Sequence, residues 1–356
     1  ETNEGMRVSS LSRRHFFFIL AIGGVAIFAF TNMRSKNLVT ISTVQELISS
    51  PELNQVMTQI ARTDGNGTTP AEKDEYKTID TLLFFVGYPR SRHTLMASLL
   101  DAHPHMIVAN ENNLFYRLKN GKKYERSQMF DTLIEGSKGF LKGGKGIVMK
   151  GNLQNTSHFG FWMEGYWQGS YDKYIKVIGD KTAWINSGVF RSTTPEDVTK
   201  LVDDIEKKYR VKVKFIHMMR NPFDIVSTIV LRNTKEKGGR FKDHSQKVDD
   251  PKLLEESMER FFNWAQGSAI AREVLGDKLL DVDGLKLVNK PIEYMSKVCQ
   301  FIEIACSDEY LMACAEVVDS TPSTTRDWVV WSKEHKNRMY SEFEKYPFLS
   351  HYSFDD

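Results

Sequence analysis

The sequence is poor in cysteine, has almost no excess of charge of either sign, and lacks common signatures of metal and nucleotide sites. Three cysteines among 356 residues exclude a small disulfide-stapled protein. Lysine and arginine number 48 and the acidic residues 46, a balance that argues against a dedicated nucleic-acid binder. The mean hydropathy of −0.40 excludes a multi-span membrane protein. There is neither a Walker A sequence nor a cysteine and histidine cluster with metal-ligand spacing, so we predict no metal site.

One uncharged apolar run stands near the N-terminus, at residues 16–30, and no formal charge lies between Arg14 and Arg34. As a helix this gap would be roughly 28 Å long, close to the thickness of a bilayer core. We therefore predict a transmembrane signal anchor over 16–33 that follows a cytosolic tail over 1–15. The alternatives are a buried core helix, which the absence of a polar face disfavours, and a cleaved signal peptide.

This orientation would make everything beyond the anchor lumenal. Two glycosylation sequons, at Asn66 and Asn155, agree with that placement. Residues 34–78 are predicted to be a stem, with a helix over 44–62, and residues 79–356 to be one compact domain. Three cysteines lie close together near the C-terminus, and we expect them to be small buried apolar residues: Cys299, Cys306 and Cys314.

The compact domain shows strands that alternate with helices. Residues 82–86 are a continuous apolar run typical of a strand buried on both faces, and residues 213–219 are also predicted to be a strand. Further helices are predicted at 196–209, 252–275, 291–305 and 307–318. Strand–loop–helix units in series predict an α/β fold with a mainly parallel sheet, in which ligands bind at the carboxyl ends of the strands.

Two loops follow predicted strands and carry polar side chains. The first, G-Y-P-R-S-R-H-T-L at 87–95, joins a strand to a helix N-terminus, where backbone N–H groups and the helix dipole favour an anion. The second begins at Arg220 in R-N-P-F-D and opens a helix that carries Ser227 and Thr228. An arginine and a hydroxyl one turn inside a helix can converge on one phosphate group. Taken singly, the first loop is also compatible with an ordinary connection, and the second with an Arg220–Asp224 pair at a helix start.

The first loop, followed by L-D-A-H-P at 100–104, resembles the 5′-phosphosulfate loop of sulfotransferases that use 3′-phosphoadenosine-5′-phosphosulfate (PAPS). The style is that of the membrane-anchored Golgi enzymes, including tyrosylprotein sulfotransferases. The resemblance, which covers about residues 80–350, implies a P-loop-like three-layer fold with PAPS as co-substrate. It also implies that Arg90 takes the place of the catalytic Lys/Arg and that three neighbours contact the phosphate: Ser91, His93 and Thr94.

The second loop resembles the 3′-phosphate motif of the same family. Arg220 matches its arginine and Thr228 its hydroxyl, with Ser227 as the adjacent alternative. One departure lies in the first loop, where Arg92 replaces the family's glycine. Glycine permits φ > 0 and close approach of a phosphate to the backbone. Arg92 could block that approach, turn outward, or add a charge to the anion site, and we include it among the cofactor-binding candidates.

On the acceptor side, Glu111 falls on the catalytic glutamate of tyrosylprotein sulfotransferases by residue-for-residue alignment. The resemblance makes it the general base, with His93, His103 and His105 as alternatives of suitable chemistry. Lys181, in V-I-G-D-K-T after a predicted strand at 174–178, is expected to stabilise charge in the transition state, unless it belongs to a surface turn. Near the C-terminus the resemblance adds candidates for the nucleotide site: Ser323, Thr325 and Arg326.

The sequence thus predicts a single-pass type II Golgi membrane sulfotransferase whose catalytic domain is lumenal. It would transfer a sulfuryl group from PAPS to a hydroxyl of a carbohydrate, a protein tyrosine or a small alcohol, with carbohydrate favoured. Neither a nucleic acid nor a metal takes part. Two alternatives stay open: a nucleotide-dependent phosphotransferase of the P-loop class, and a membrane-anchored binding protein with the same fold and no turnover.

Overall fold

The computed structural model describes residues 16–22, 25–31, 76–142, 161–234, 246–321 and 323–356. The chain divides into two compact units, residues 1–71 and residues 72–356. The predicted helix over 44–62 and both sequon asparagines, Asn66 and Asn155, lie outside the described residues.

In the N-terminal unit, Phe16–Ile22 (β1) and Val25–Thr31 (β2) pair as antiparallel strands. The sequence predicts a helix here, and the structure has strands instead. Most residues of both segments are aromatic or β-branched, types that fit a pleated strand better than a helix. Within the described residues, no helix is both long and apolar enough to cross a bilayer.

The larger unit begins with a strand, a loop and a helix, as its sequence predicts. The elements from β3 to β6 are Thr81–Gly87 (β3), His93–Asp101 (α1), Met106–Asn110 (β4), Leu114–Lys119 (α2), Arg126–Lys142 (α3), Val177–Lys181 (β5), Ala183–Ser192 (α4), Pro195–Tyr209 (α5) and Lys212–Met219 (β6). Then follow Pro222–Asn233 (α6), Pro251–Leu275 (α7), Leu279–Asp283 (β7), Gly284–Asn289 (α8), Pro291–Phe301 (α9), Asp308–Val317 (α10) and Lys333–Phe343 (α11).

Five of these strands form one parallel sheet in the order β4-β5-β3-β6-β7. Because all five strands run the same way, their carboxyl ends lie along a single edge. That edge carries the first loop after β3, Glu111 after β4, Lys181 at the end of β5 and Arg220 after β6. The parallel α/β sheet that the sequence predicts is therefore confirmed, and it gathers the candidate residues at the edge where such folds bind ligands.

Alternate residues of the central strand feed two separate cores, as in a sheet covered on both faces. Leu82, Phe84 and Val86 of β3 pack into one core with side chains of α3, α4 and α5. Leu83 and Phe85 pack into the other with side chains of α1, α9 and α10. This three-layer arrangement buries β3 completely and fixes the direction in which the first loop leaves the sheet.

The structure adds a disulfide and corrects one predicted strand. Cys299 and Cys314 are buried, as predicted, but Cys299 forms a disulfide with Cys306, which lies between α9 and α10, and Cys314 is the free cysteine. The strand predicted at 174–178 lies at Val177–Lys181, which places Lys181 inside the sheet rather than in a surface turn. Tyr174 lies before that strand, and its ring stacks on the ring of His105. An aromatic residue can find a ring partner outside a strand as readily as inside one.

Candidate functional site

A cavity of about 350 Å³ lies at the carboxyl edge of the sheet, within the usual range for small-ligand sites. It brings together residues from both predicted loops and from the segment before α11. Its lining comprises Arg90, Arg92, His93, Thr94, Leu95, Phe161, Arg220, Thr228, Arg232, Val288, Asp319, Thr321, Ser323 and Thr325. Four arginines and one aspartate make this lining strongly cationic, which suits a small ligand with several negative charges.

The first loop turns sharply, and two arginines accommodate the turn. Arg90 and Arg92 both have positive φ, 72° and 69°. Arg92 therefore adopts the left-handed backbone that the glycine of the resembling motif would supply, at a cost of about 1 kcal/mol for an L residue. Its side chain lies over Gly284, with Nη1 3.3 Å from the position that a Cβ there would occupy, and it also lines the cavity. Of the three possibilities for Arg92, the structure shows the added charge.

Three polar residues that follow Arg90 have different roles. Thr94 and His93 lie in the first turn of α1 and line the cavity, where the N-terminal N–H groups of a helix lack helical acceptors. Ser91, by contrast, is fully buried, donates to the carbonyl of Tyr88 at 2.8 Å and lies 3.2 Å from Nδ1 of His93. The Ser91 hydroxyl closes the turn and does not line the cavity, and its contact with the phosphate stays a prediction.

His93 is buried, and burial together with Lys181 and Arg90 lowers its pKa well below the usual value of 6.5. Its ring therefore binds a proton less readily in the folded protein than in the unfolded chain. The unfolded chain takes up this proton as the pH falls through 6.5 and the folded chain does not, so acidification lowers stability. We expect the unfolding free energy of the wild type to fall, relative to that of His93→Asn, by up to about 1.4 kcal/mol per pH unit below pH 6.5.

Denaturant unfolding of both proteins between pH 7.5 and 5 measures this difference in slope. The difference is needed because Asp101 acts with the opposite sign: burial raises its pKa to about 6, and it stabilises the fold as the pH falls from there. Parallel slopes for wild type and variant would show that His93 is protonated in the folded state.

The second loop places Arg220 deep in the wall of the cavity. Its side chain is buried and donates to two backbone carbonyls, that of Arg90 at 3.1 Å and that of Ser323 at 2.9 Å. Its Nε is buried and has no hydrogen-bond partner among the described residues. Asp224 is only a distant ion-pair partner, at 3.9 Å. An unsatisfied donor on a buried guanidinium that lines a cavity points to an acceptor supplied by a ligand.

The hydroxyls near Arg220 come from two segments. Thr228 lines the cavity and lies 3.0 Å from the hydroxyl of Thr325, which lines it too, as does Ser323. Ser227 points elsewhere: it is fully buried and accepts from Nε1 of Trp331 at 3.0 Å. Of the two hydroxyls, Thr228 therefore lines the cavity, whereas Ser227 binds Trp331.

Arg326 does not line the cavity, contrary to the prediction. Its guanidinium is buried and forms an ion pair with Asp224 at 2.9 Å, while its backbone N–H donates to the same carboxylate. Asp224 is thus committed mainly to Arg326, which leaves Arg220 available to a ligand. The role of Arg326 is to hold the segment before α11 against the start of α6.

Glu111 and Lys181 meet beside the first loop. Nζ of Lys181 donates to Oε1 of Glu111 at 3.0 Å and to Oγ1 of Thr94 at 3.3 Å. Lys181 is 2% exposed, whereas half of the Glu111 side chain is exposed. A buried cation therefore connects the anion loop to a carboxylate that an incoming molecule can reach. His103 and His105 are engaged elsewhere, with the carbonyls of Ala305 and Tyr174.

Burial lowers the pKa values of the cations at the site. Those of Arg90 and Arg220 fall to about 10, so both stay protonated at neutral pH. The pKa of Lys181 also falls through burial, an effect that the neighbouring Glu111 opposes. These desolvated charges interact with an anion more strongly than exposed ones would.

Several lining residues escaped the sequence reasoning. Arg232 lies four residues after Thr228 on α6, so helical periodicity could have found it. Phe161, like the nearby aromatic residues Tyr166 and Tyr171, packs against buried side chains, and it also lines the cavity. Asp319 and Val288 carry no local signal, because only the chain path brings them to the cavity.

The chain is similar to known proteins in part of its sequence and in its structure. A sequence model described as the sulfotransferase family matches residues 83–308, which is more than half of the chain and includes both loops. No curated protein matches. Sulfotransferase STF9 from Mycobacterium avium is similar in structure, with 10% identity over 85% of this chain and 81% of that one and a TM-score of 0.43. Mouse sulfotransferase SULT7A1 in complex with PAP is similar at 12% identity, over 77% of this chain and 89% of that one, with a TM-score of 0.39.

Proposed function

The chain belongs to the sulfotransferase family and is a sulfotransferase enzyme, and from this premise we propose that it transfers a sulfuryl group from PAPS to a hydroxyl of a lumenal acceptor, carbohydrate ahead of tyrosine or a small alcohol. The observation that carries the proposal is the convergence of two strand–loop–helix anion sites on one cavity. PAPS has phosphate groups at two separated ends, and such a ligand needs two such sites.

The residues present fit that ligand. The unpartnered Nε of Arg220, with the hydroxyls of Thr228 and Thr325, suits the 3′-phosphate. Arg90, Thr94 and the N-terminus of α1 suit the 5′-phosphosulfate. Leu95, Phe161 and Val288 give the cavity an apolar part that suits the flat face of a base.

In the proposed reaction, Glu111 removes the proton from the acceptor hydroxyl and the oxygen attacks sulfur. The bond between sulfur and the bridging phosphate oxygen breaks, and adenosine 3′,5′-bisphosphate leaves. Arg90 and Lys181 neutralise the negative charge that develops on the leaving phosphate and the transferring group. Lys181 contacts both Thr94 and Glu111, so one cation links the donor and acceptor sides.

Two exposed aromatic side chains support a carbohydrate acceptor. Tyr116 lies on α2, which starts just after Glu111, and Trp184 lies on α4, which starts just after Lys181. Their side chains are 48% and 41% exposed. Exposed aromatic side chains on helices that begin at this edge of the sheet suit the apolar face of a sugar ring. A tyrosine or small-alcohol acceptor would use the same base and cation.

Placement in the Golgi membrane, with residues 16–33 as the attachment and the larger unit lumenal, is part of the proposal. The two sequons support the lumenal side of the placement. The Cys299–Cys306 disulfide adds support, because such bonds persist in oxidising compartments. Sensitivity of the full-length protein to an endoglycosidase, with the larger unit protected from protease in sealed vesicles, tests this placement.

The catalytic proposal is tested by a transfer assay with ³⁵S-labelled PAPS. The acceptor panel consists of chondroitin, N-acetyllactosamine, a tyrosine-containing acidic peptide and 2-naphthol. We expect labelled product from one of the two carbohydrates and binding of adenosine 3′,5′-bisphosphate that does not need magnesium. Magnesium-dependent phosphate transfer from ATP would instead support the phosphotransferase, and tight binding with no transfer to any acceptor would support the binding protein.

Replacing Arg92 by glycine separates its effect on backbone strain from its effect on ligand binding. The variant Arg92→Gly relieves the left-handed backbone strain and removes one cavity cation. We expect the unfolding free energy to rise by about 1 kcal/mol and the affinity for adenosine 3′,5′-bisphosphate to fall by about 3- to 10-fold. Calorimetric titration and denaturant unfolding measure the two quantities.

Arg210→Gly is the matched control. Arg210 also has positive φ, 51°, but ends the surface helix α5 and is exposed. The Arg210→Gly variant should gain stability for the same reason, and its affinity for adenosine 3′,5′-bisphosphate should be unchanged. Equal affinities in both variants would remove Arg92 from the ligand-binding residues.

A further inference from the structure

The backbone that follows Glu111 is bound by a buried carboxylate. Asp180 is fully buried and accepts hydrogen bonds from the N–H of Asn112 at 2.9 Å and from the N–H of Leu114 at 2.7 Å. Each carboxylate oxygen thus binds one N–H of the segment 111–114, which joins β4 to the first residue of α2. Charge-assisted bonds of this kind are about twice as strong as neutral ones.

A hydroxyl binds the N–H that lies between those two. Oγ1 of Thr182 accepts from the N–H of Asn113 at 3.2 Å and donates to Asp180 at 3.1 Å. The N–H of Glu111 itself donates to the carbonyl of Lys181 at 3.1 Å. Four consecutive backbone N–H groups, at 111–114, are therefore bound by the three residues at 180–182.

This segment needs such support. Glu111 and Asn113 both have positive φ, 56° and 57°, which is unfavourable for residues with a side chain. Strained backbone of this kind persists only where the surrounding structure over-determines it. The strain determines the direction in which the Glu111 side chain leaves the backbone, and that direction brings its carboxylate to 3.0 Å from Lys181.

We propose that Asp180 and Thr182 are positioning residues for the transfer reaction: they hold the left-handed segment 111–114 and so fix the Glu111 carboxylate between Lys181 and the acceptor. The inference rests on the proposed function, since it takes Glu111 as the base. Neither side chain lines the cavity, so their loss should leave the affinity for the donor nucleotide unchanged.

Thr182→Val tests the inference with an isosteric change, and Thr182→Ser is the conservative variant that restores the hydroxyl. A shift of about 1 Å in a catalytic group costs on the order of 100-fold in rate. We expect kcat of Thr182→Val to fall by about 10- to 100-fold, with the Kd of adenosine 3′,5′-bisphosphate within about 2-fold of the wild type. Thr182→Ser should recover most of kcat. The acceptor is the most active compound of the ³⁵S transfer panel.

The double variant Glu111→Gln/Thr182→Val identifies the route of the effect. If Thr182 acts through Glu111, the double variant has the same kcat as Glu111→Gln alone. If kcat of the double variant fell below that of Glu111→Gln by the same factor as in Thr182→Val alone, the effect would be one on general structure and the inference would be overturned. Wild-type kcat in Thr182→Val would overturn it too. Undiminished kcat in Glu111→Gln would instead overturn the proposed base, and the inference with it.

A second pair of variants distinguishes the positioning role from a general fold defect, and one of its two readouts, hydrogen exchange, does not need turnover. Asp180→Asn loses an acceptor for the segment 111–114, and Asp101→Asn loses a comparable buried acceptor for Val108 and Gly169. We expect both to lower stability, with hydrogen exchange at 111–114 accelerated at least 10-fold in Asp180→Asn only and kcat lowered in that variant only. Equal kcat in the two variants, or unchanged exchange at 111–114, would overturn the positioning role.

Discussion

Glu111→Gln should lower kcat by about 10²- to 10⁴-fold, the range that a general base contributes. The amide keeps the size of the side chain and an oxygen that can accept from Lys181, but it cannot take the acceptor proton at neutral pH. Glu111 does not line the cavity, so the Kd of adenosine 3′,5′-bisphosphate should stay within about 3-fold of the wild type. Steady-state transfer and calorimetric titration of the same preparation measure both.

A surface glutamate provides the control for this substitution. Glu125 precedes α3, away from the cavity lining, so Glu125→Gln should leave kcat unchanged. If Glu111→Gln retained kcat within a few-fold, the base would be another group. His93 would then come first, although its Nδ1 faces Ser91 and its lowered pKa weakens it as a proton acceptor.

The two central strands of the larger unit could be predicted from hydrophobic patterning. The structure extends the predicted strands at 82–86 and 213–219 by only one or two residues, whereas β7 and several helices were not predicted. The apolar run at 16–30 is where that reasoning is wrong. Its aromatic and β-branched residues are compatible with either a helix or strands, and a window of apolar residues alone cannot distinguish them.

The site could be predicted where its residues share one loop and a matching motif. Arg90, His93, Thr94, Arg220 and Thr228 all line the cavity as expected. Ser91 and Ser227 lie in the same two loops, but their hydroxyls turn inward, one to close a turn and the other to bind Trp331. Spacing along the chain does not determine which way a short hydroxyl side chain points.

Contacts between segments that are distant along the chain could not be predicted from the sequence. Asp180 binds the backbone at 111–114 across nearly 70 residues, and Arg326 binds Asp224 across 102. The Cys299–Cys306 bond depends on the turn between α9 and α10, which brings the two Cα atoms to 6.2 Å. In each case the packing of the sheet and helices brings the two residues together, and no local sequence pattern indicates the contact.

Arg220→Ala should lower the affinity for adenosine 3′,5′-bisphosphate by about 100-fold or more. Truncating one partner of a buried, hydrogen-bonded charge pair costs about 2–5 kcal/mol, and 1.4 kcal/mol is a factor of ten in Kd. The loss should be this large because Arg220 is desolvated, has its Nε directed to no protein acceptor among the described residues, and holds the carbonyl of Arg90. Calorimetric titration at 50 and 200 mM salt measures it.

Arg326→Ala is the matched control, because both arginines are buried beside Asp224 but only Arg220 lines the cavity. Removing Arg326 leaves Asp224 without its closest cation, so the unfolding free energy should fall by about 3 kcal/mol or more. Nucleotide affinity should change by less than about 5-fold. Arg220→Lys keeps the charge without the planar fork and should give an intermediate affinity. If Arg326→Ala weakened binding as much as Arg220→Ala, then Asp224 and its two arginines would act as one structural cluster, and the direct contact assigned to Arg220 would be wrong.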